Sequence, residues 1–279
     1  MTSPAPATAP AGDQAAPQRT WVEMIMGLPI SVTVRGPAAR GEHADQVVRG
    51  LHAELRHADR VFSTHRTDSE ISLLGAGALP RELVSTDVQE VLALCEQARQ
   101  LTGGLFDVAL RQPDGRYALD PSGLVKGWAV ERAARALDAL NGHDWIVNAG
   151  GDVLGSATHG PAWQVGIEDP RDRSRVLCIL PLHRGAIATS GTAARGDHIL
   201  DPRTGRPAPP RLLSATVIGP SLTWADVLAT AAYVEGPTAH NSISELNGYS
   251  SLLLLPDGHL HRSARAGQML SRLPNPISS

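Results

Sequence analysis

Several features that mark common protein classes are scarce or absent in this chain of 279 residues. It has two cysteines, Cys95 and Cys178, too few for a disulfide framework and without the spacing of a zinc site. Cys95 falls on a helical pattern and Cys178 in an apolar strand pattern, so both read as buried, inert thiols. There is no basic excess: 25 Lys and Arg against 28 Asp and Glu leave a formal charge of −3. That excludes the basic stripe of a general nucleic-acid binder, and no nucleic-acid partner is expected. No apolar run approaches the ~18 residues that would suggest a membrane-spanning helix. Residues 1–19 are mostly Ala, Pro, Thr and Ser, with no basic start, no apolar middle and no Cys to carry a lipid. They read as a disordered tail, and the expected location is cytoplasmic.

Lysine is scarcer still. Lys126 is the only one, so the other basic residues are all Arg. A chain that builds its positive surface from Arg has reason to keep one Lys where a compact ammonium is required. The plain alternative is a leftover solvated side chain.

What is present is enough apolar residue, 42%, to bury a substantial core. No internal repeat or linker divides the chain. Helical patterns are mixed with mostly adjacent strands, which predicts an α+β fold, a single mixed domain of sheets flanked by helices over residues 20–262. Residues 263–279 read as a flexible C-terminal tail. Strands are predicted at 21–26 and 30–34, joined at Gly27-Leu28-Pro29, and a helix at 42–61 with Val47, Val48, Leu51, Leu55 and Ala58 on one face. A second helix begins at Thr86, with Gln89 placed for a capping box, and stops at Gly103-Gly104. Asp107 follows in Leu105-Phe106-Asp107-Val108, where an Asp suits a cap or turn as readily as a ligand role. A helix at 124–140 is entered through Asp120-Pro121-Ser122-Gly123. Its free N–H groups, with Lys126 one turn in, make a phosphate site reasonable, and a simple Asp or Ser cap is the other reading. Further strands are predicted at 145–148, 163–168, 176–182, 186–189 and 214–219. A helix follows at 224–235, a short one at 237–246, and a closing hairpin at 251–261.

The densest chemistry lies between Ala186 and Thr230. A strand ends in Thr189-Ser190-Gly191, and a polar loop follows with His198, Asp201, Arg203 and Gly205. Asp226 and Thr230 then stand four residues apart on one helix face. A carboxylate with a hydroxyl, and no Cys or His at ligand spacing, suits a hard cation such as Mg²⁺. His198 is a candidate base and Arg203 a candidate anion partner.

These pieces together resemble the flavin transferase family that attaches FMN to proteins. The matching segments come in order: Met26-Gly27, Phe62-Ser63-Thr64, Asp68 to Ser72, Thr102 to Val108, Asp120 through Lys126 to Val130, Asn148 to Asp152, Ala188 to Gly191, His198 to Gly205, and Ala225 to Thr230. The resemblance implies an enzyme that binds FAD with Mg²⁺. A Thr or Ser hydroxyl of a client protein attacks the FMN-side phosphorus, and AMP leaves. It implies a metal site from the Gly123 and Ala229 backbone oxygens with Asp226 and Thr230. FAD contacts would come from Met26, Phe106, Asp107, Val108, Asp120, Lys126 and Leu200, with His198 as the base. Three departures stand out. His65 occupies a place where the family commonly has Tyr beside the flavin, the Val108–Asp120 segment is short, and no export or lipid signal is evident. A Mg²⁺-dependent FAD pyrophosphatase and a non-catalytic FAD-binding protein are the competing expectations.

Overall fold

The computed structural model describes residues 16–111, 117–191 and 199–270. Its chain opens with β1 (Gln18–Ile25) and β2 (Leu28–Arg35), followed by α1 (Glu42–Phe62), α2 (Glu70–Gly75) and α3 (Thr86–Leu101). Next come β3 (Ala109–Arg111), β4 (Tyr117–Leu119), α4 (Ser122–Ala134), β5 (Asp144–Ala149), β6 (Asp152–Ser156), β7 (Trp163–Asp169), β8 (Asp172–Leu182) and β9 (Arg184–Gly191). The chain continues through β10 (Leu200–Asp201), β11 (Arg206–Pro207), β12 (Ser214–Gly219), α5 (Leu222–Glu235), α6 (Ala239–Ser244), β13 (Ser250–Leu254), β14 (Leu260–Arg262) and α7 (Ala264–Leu270).

One antiparallel sheet organises these elements, in the order β1-β2-β5-β6-β9-β12-β13-β14. Its side chains alternate with period two, as a sheet covered on both faces requires. Leu154, Ala186, Ala188, Ala215, Val217 and Leu253 face the layer that holds α1, α4 and α5. Val153, Ile187, Ile218 and Leu252 face the other way, where Val165, Ile167, Leu180 and Leu182 of the β7–β8 hairpin and Ala266 of α7 cover them. This is the α+β arrangement that the mixed pattern predicts.

Most elements fall where the periodicity places them. Differences arise where packing or turn chemistry overrides pattern. Strand β8 begins at Asp172, earlier than predicted, because Asp172 to Arg175 are exposed and carry no apolar alternation. The α-helix of the 124–140 segment ends at Ala134, and a 3₁₀ turn runs from Arg135 to Ala139 before the left-handed Gly142. Ser85, not Thr86, caps α3 through its Oγ, while Gln89 reaches back to the Val84 carbonyl. The expected tails are also shorter at the described ends. Gln18 and Arg19 already belong to β1, and Arg19 pairs with Asp45. Past residue 262, α7 packs a fully buried Ala266 onto β8 and β13.

The crossing of α4 and α5 fixes the site. A Cβ on Gly127 would lie 2.9 Å from the Leu222 carbonyl oxygen and 2.9 Å from Thr223 Cα, so the helices touch backbone to side-chain-free backbone. One turn on, Glu131 Oε2 accepts hydrogen bonds from Ser221 Oγ (2.8 Å), Thr223 N (3.1 Å) and Thr223 Oγ1 (2.8 Å). A carboxylate from one helix thus takes up the free N–H and hydroxyl groups at the start of the next. That clasp brings the entrance of α4 and the first turns of α5 to one place.

Candidate active site

A cleft of about 750 Å³ opens at one end of the sheet, under the helical layer. That volume lies in the usual range for a small-molecule site. Its walls come from tight turns and element ends. Met26 and Gly27 form the two-residue turn between β1 and β2, with φ +54° and +69°. Such a turn demands the left-handed region at both positions, and Met26 is the only non-glycine in that region among the described residues. A strained residue held at a cavity wall is a signature of a site. Gly150, in the β5–β6 turn, packs against Leu28 so closely that a Cβ would stand 3.0 Å from its Cδ2. The wall at Ser63 to His65 is pinned from α2: Ser69 Oγ and Ser72 Oγ both donate to the Ser63 carbonyl, at 2.7 and 3.3 Å. The Ser-containing segment from Asp68 to Ser72 therefore shapes the wall without lining it.

Charge in the cleft centres on Lys126. Its Nζ forms ion pairs with Asp152 Oδ2 and with Asp226 Oδ2, the latter at 3.1 Å. Both carboxylates are buried, Asp152 at 2% and Asp226 at 5% exposure. Asp152 Oδ1 also accepts from Thr189 N at 2.9 Å, tying β6 to β9. Beside Asp226 on α5, Thr230 Oγ1 lies 3.1 Å from Ser190 Oγ at the end of β9. Asp226, Thr230, Ser190 and Asp152 all line the cleft. Among the described residues no group of three or more His, Cys, Asp or Glu gathers to hold a metal. The donors around Asp226 are instead hydroxyl and carboxylate oxygens, a set that fits a hard cation such as Mg²⁺ and does not fit zinc.

The sequence-predicted residues divide as follows. Met26, His65, Phe106, Asp107, Asp120, Gly123, Lys126, Leu200, Asp226 and Thr230 line this one cleft. Val108 does not; its carbonyl accepts the Asp120 amide at 2.8 Å and closes the short β3–β4 excursion. Ala229 is fully buried within α5, and its side chain does not reach the cleft. Asp107 and Asp120 serve as turn formers as well, accepting from Ala109 N and Ser122 N. Phe106 packs on Gly123, where a Cβ would meet its ring at 3.2 Å. Arg203 is held by Asp201 through two bonds of 2.8 and 2.7 Å, so it does not stand free as an anion partner. That pairing, led by the Arg203 guanidinium, keeps the Asp201 carboxyl below its ordinary range. His198 lies outside the described residues. Sequence reasoning missed Asp152 and Ser190 as site residues; Asp152 follows a Gly-Gly pair that reads as an ordinary hairpin turn.

An antiparallel sheet with a helical layer, and a cleft combining one lysine, a helix entrance and an Asp–Thr pair, define a class of anion- and cation-handling site at the end of an α+β sheet. The model of the ApbE family matches residues 26–114 and 109–253, and the chain belongs to that family. Among its relatives is the FAD:protein FMN transferase of Haemophilus influenzae, 29% identical over 285 residues, covering 79% of this chain and 82% of the relative. The FAD:protein FMN transferase of Vibrio cholerae is 34% identical over 148 residues, covering 49% of this chain and 44% of the relative. The fold matches the solved flavin transferase ApbE from Vibrio cholerae with TM-score 0.78 at 24% identity, over 91% of this chain and 100% of that one. It matches the ApbE protein from Thermotoga maritima equally, with TM-score 0.78 at 22% identity, over 91% and 99%.

Proposed function

We infer that this protein is an FAD:protein FMN transferase that uses Mg²⁺ and releases AMP. The observation that carries the reading is the meeting, in one cleft of an ApbE-family chain, of Lys126, the α4 entrance and the Asp226–Thr230 pair. The client hydroxyl oxygen bonds to the FMN-side phosphorus of FAD, and the bond from that phosphorus to the bridging oxygen breaks. AMP takes that oxygen, and FMN remains on the client as a phosphoester. Phosphoryl transfer of this kind depends on positioning and charge neutralisation more than on covalent help.

The chain's residues have distinct parts in it. Lys126 and the N–H groups at the start of α4 bind the pyrophosphate oxygens. Met26, Phe106 and Leu200 form apolar wall for the flavin and adenine rings, with His65 at the rim in place of an aromatic stacking partner. Asp226 and Thr230, with main-chain oxygens at Gly123 and Ala229, would hold Mg²⁺, which when bound neutralises charge on the pyrophosphate. His198 takes the proton of the client Thr or Ser, a weak nucleophile near neutral pH.

Incubating the protein with FAD, Mg²⁺ and a Thr-containing client flavoprotein tests this. Covalently bound fluorescent flavin on the client, with stoichiometric AMP, is the expected result. FMN and AMP without labelled client would instead identify an FAD pyrophosphatase, and tight FAD binding with no AMP would overturn both readings. Asp226→Ala is expected to abolish Mg²⁺-dependent AMP release. His198→Ala is expected to keep FAD binding and lose transfer; labelling at the wild-type rate would remove His198 from the base role.

A further inference from the structure

We propose that Asp152 is a positioning residue for Lys126, and that a divalent cation arriving at Asp226 displaces the ammonium which Asp152 otherwise holds there. Metal entry and the release of Lys126 from Asp226 are then one exchange, which presupposes the divalent-cation reading of Asp226 given above.

The structure supplies the parts. Two buried carboxylates share one ammonium, so the trio carries one net negative charge in a largely desolvated spot. A divalent cation entering there is attracted by both carboxylates. The two oxygens of Asp152 have separate tasks. Oδ1 accepts the Thr189 amide and so is fixed to the sheet, while Oδ2 meets Lys126. Asp152 therefore sits on a rigid mount, at the first position of β6 between β5 and β9. Asp226 projects from a different element, α5, and meets the same ammonium from the other side of the helix crossing. The Lys126 side chain is 22% exposed and lines the cleft. A flexible four-carbon stem lets its ammonium leave one partner while keeping the other. A divalent ion beside the oxygens of Asp226, Thr230 and Ser190 repels that ammonium and outcompetes its single charge. Asp152 then retains Lys126 within the cleft, where an anionic ligand can take up the freed contact. By reciprocity, the ammonium weakens metal binding at Asp226 by the same factor by which the metal weakens the ammonium's hold there.

Lys126 is the only lysine in the chain, so amine acetylation followed by mass spectrometry reads it directly once the N-terminal amine is separated. In FAD-free wild-type protein, Mg²⁺ is expected to raise the Lys126 acetylation rate several-fold. Asp152→Asn keeps the acceptor for Thr189 and is expected to raise the metal-free rate, while Asp152→Glu restores the slow rate. Calorimetric titration gives a second readout: Lys126→Met should bind Mg²⁺ tighter, on the order of tenfold. An acetylation rate unmoved or slowed by Mg²⁺, or weaker Mg²⁺ binding by a folded Lys126→Met, overturns the exchange. Client labelling measured on the same wild-type preparation separates the two ideas. Labelling with no Mg²⁺ response at Lys126 sinks the exchange alone, and a Mg²⁺ response with neither labelled client nor AMP sinks the transferase reading alone.

Discussion

Replacing Gly127 with Ala tests whether the α4–α5 crossing is what holds the site together. The added Cβ would stand 2.9 Å from the Leu222 carbonyl oxygen, 2.9 Å from Thr223 Cα and 3.1 Å from Thr223 N. All three are backbone atoms at the start of α5, so no side chain can swing aside, and the helices must separate. Two effects oppose each other. Ala in a helix interior is favoured over Gly by about 1 kcal/mol. Overpacking of a tight contact costs about 1–3 kcal/mol, and a backbone obstacle belongs at the upper end. The clash wins, for a net loss of about 1–2 kcal/mol, or a melting temperature lower by roughly 3–6 °C in a chain of this size. Gly50 is the control. It is exposed within α1 with nothing within 4 Å of its would-be Cβ, so Gly50→Ala gains the propensity term alone and should stabilise by up to ~1 kcal/mol.

The functional consequence of Gly127→Ala should exceed its stability cost. Asp226 lies one helical turn beyond Leu222, so a shift of α5 moves it relative to Gly123 and Lys126 on α4. Misplacement by about 1 Å costs on the order of 10²-fold in rate where positioning carries the catalysis. AMP release from FAD and Mg²⁺, assayed well below the melting temperature, should fall by roughly ten- to a hundredfold. A Gly127→Ala protein with wild-type midpoint and wild-type AMP release would refute the reasoning: the crossing would then be compliant, and something else would set the distance between the two helix starts.

Two further outcomes follow from named contacts. Glu131→Ala strips three donors at the start of α5 of their acceptor; a loss of about 2–4 kcal/mol is expected in chemical denaturation, with Glu131→Gln retaining part of it. Asp169, at the β7–β8 turn, has its carboxyl held down to about 2, from 3.8 in the unfolded chain. The main cause is hydrogen bonding from the Arg171 side chain, opposed by burial and aided by the Arg171 amide. A depressed folded value means stabilisation that is fully present above 3.8 and lost as pH falls through about 2. Asp169→Asn should therefore lower the midpoint at pH 7 and converge on wild type as pH falls to about 2 and below, and a gap as large at pH 2 as at pH 7 would show that charge is not its origin.

How much of this was legible beforehand depended on whether the governing interactions were local. Helices α1, α3 and α5 and strands β2, β5 and β12 announce themselves because one-sided or two-sided burial prints a period on the sequence. Asp226 and Thr230 were legible as a pair because helical spacing alone puts them on one face. Lys126 stood out because every other basic residue is Arg. Asp152 did not, since its partners, Lys126 and Asp226, are brought to it by sheet order and helix crossing, neither of which local pattern encodes. An Asp after two glycines satisfies hairpin chemistry so well that the turn masks the ion pair. Val108 and Ala229 show a different boundary: their side chains do not line the cleft although their neighbours' do, and the part expected of Ala229 falls to its main-chain oxygen, which side-chain direction does not decide. The Gly127 contact was hidden for a related reason. A glycine inside a helix reads as a weakness in propensity, and only the second helix lying against it turns that weakness into a requirement. The site is thus assembled by two features that single-sequence pattern treats as neutral or unfavourable, a helix-interior glycine and a buried acid in a turn. Both make sense only once α4, α5 and β6 are seen to converge on the ammonium of Lys126.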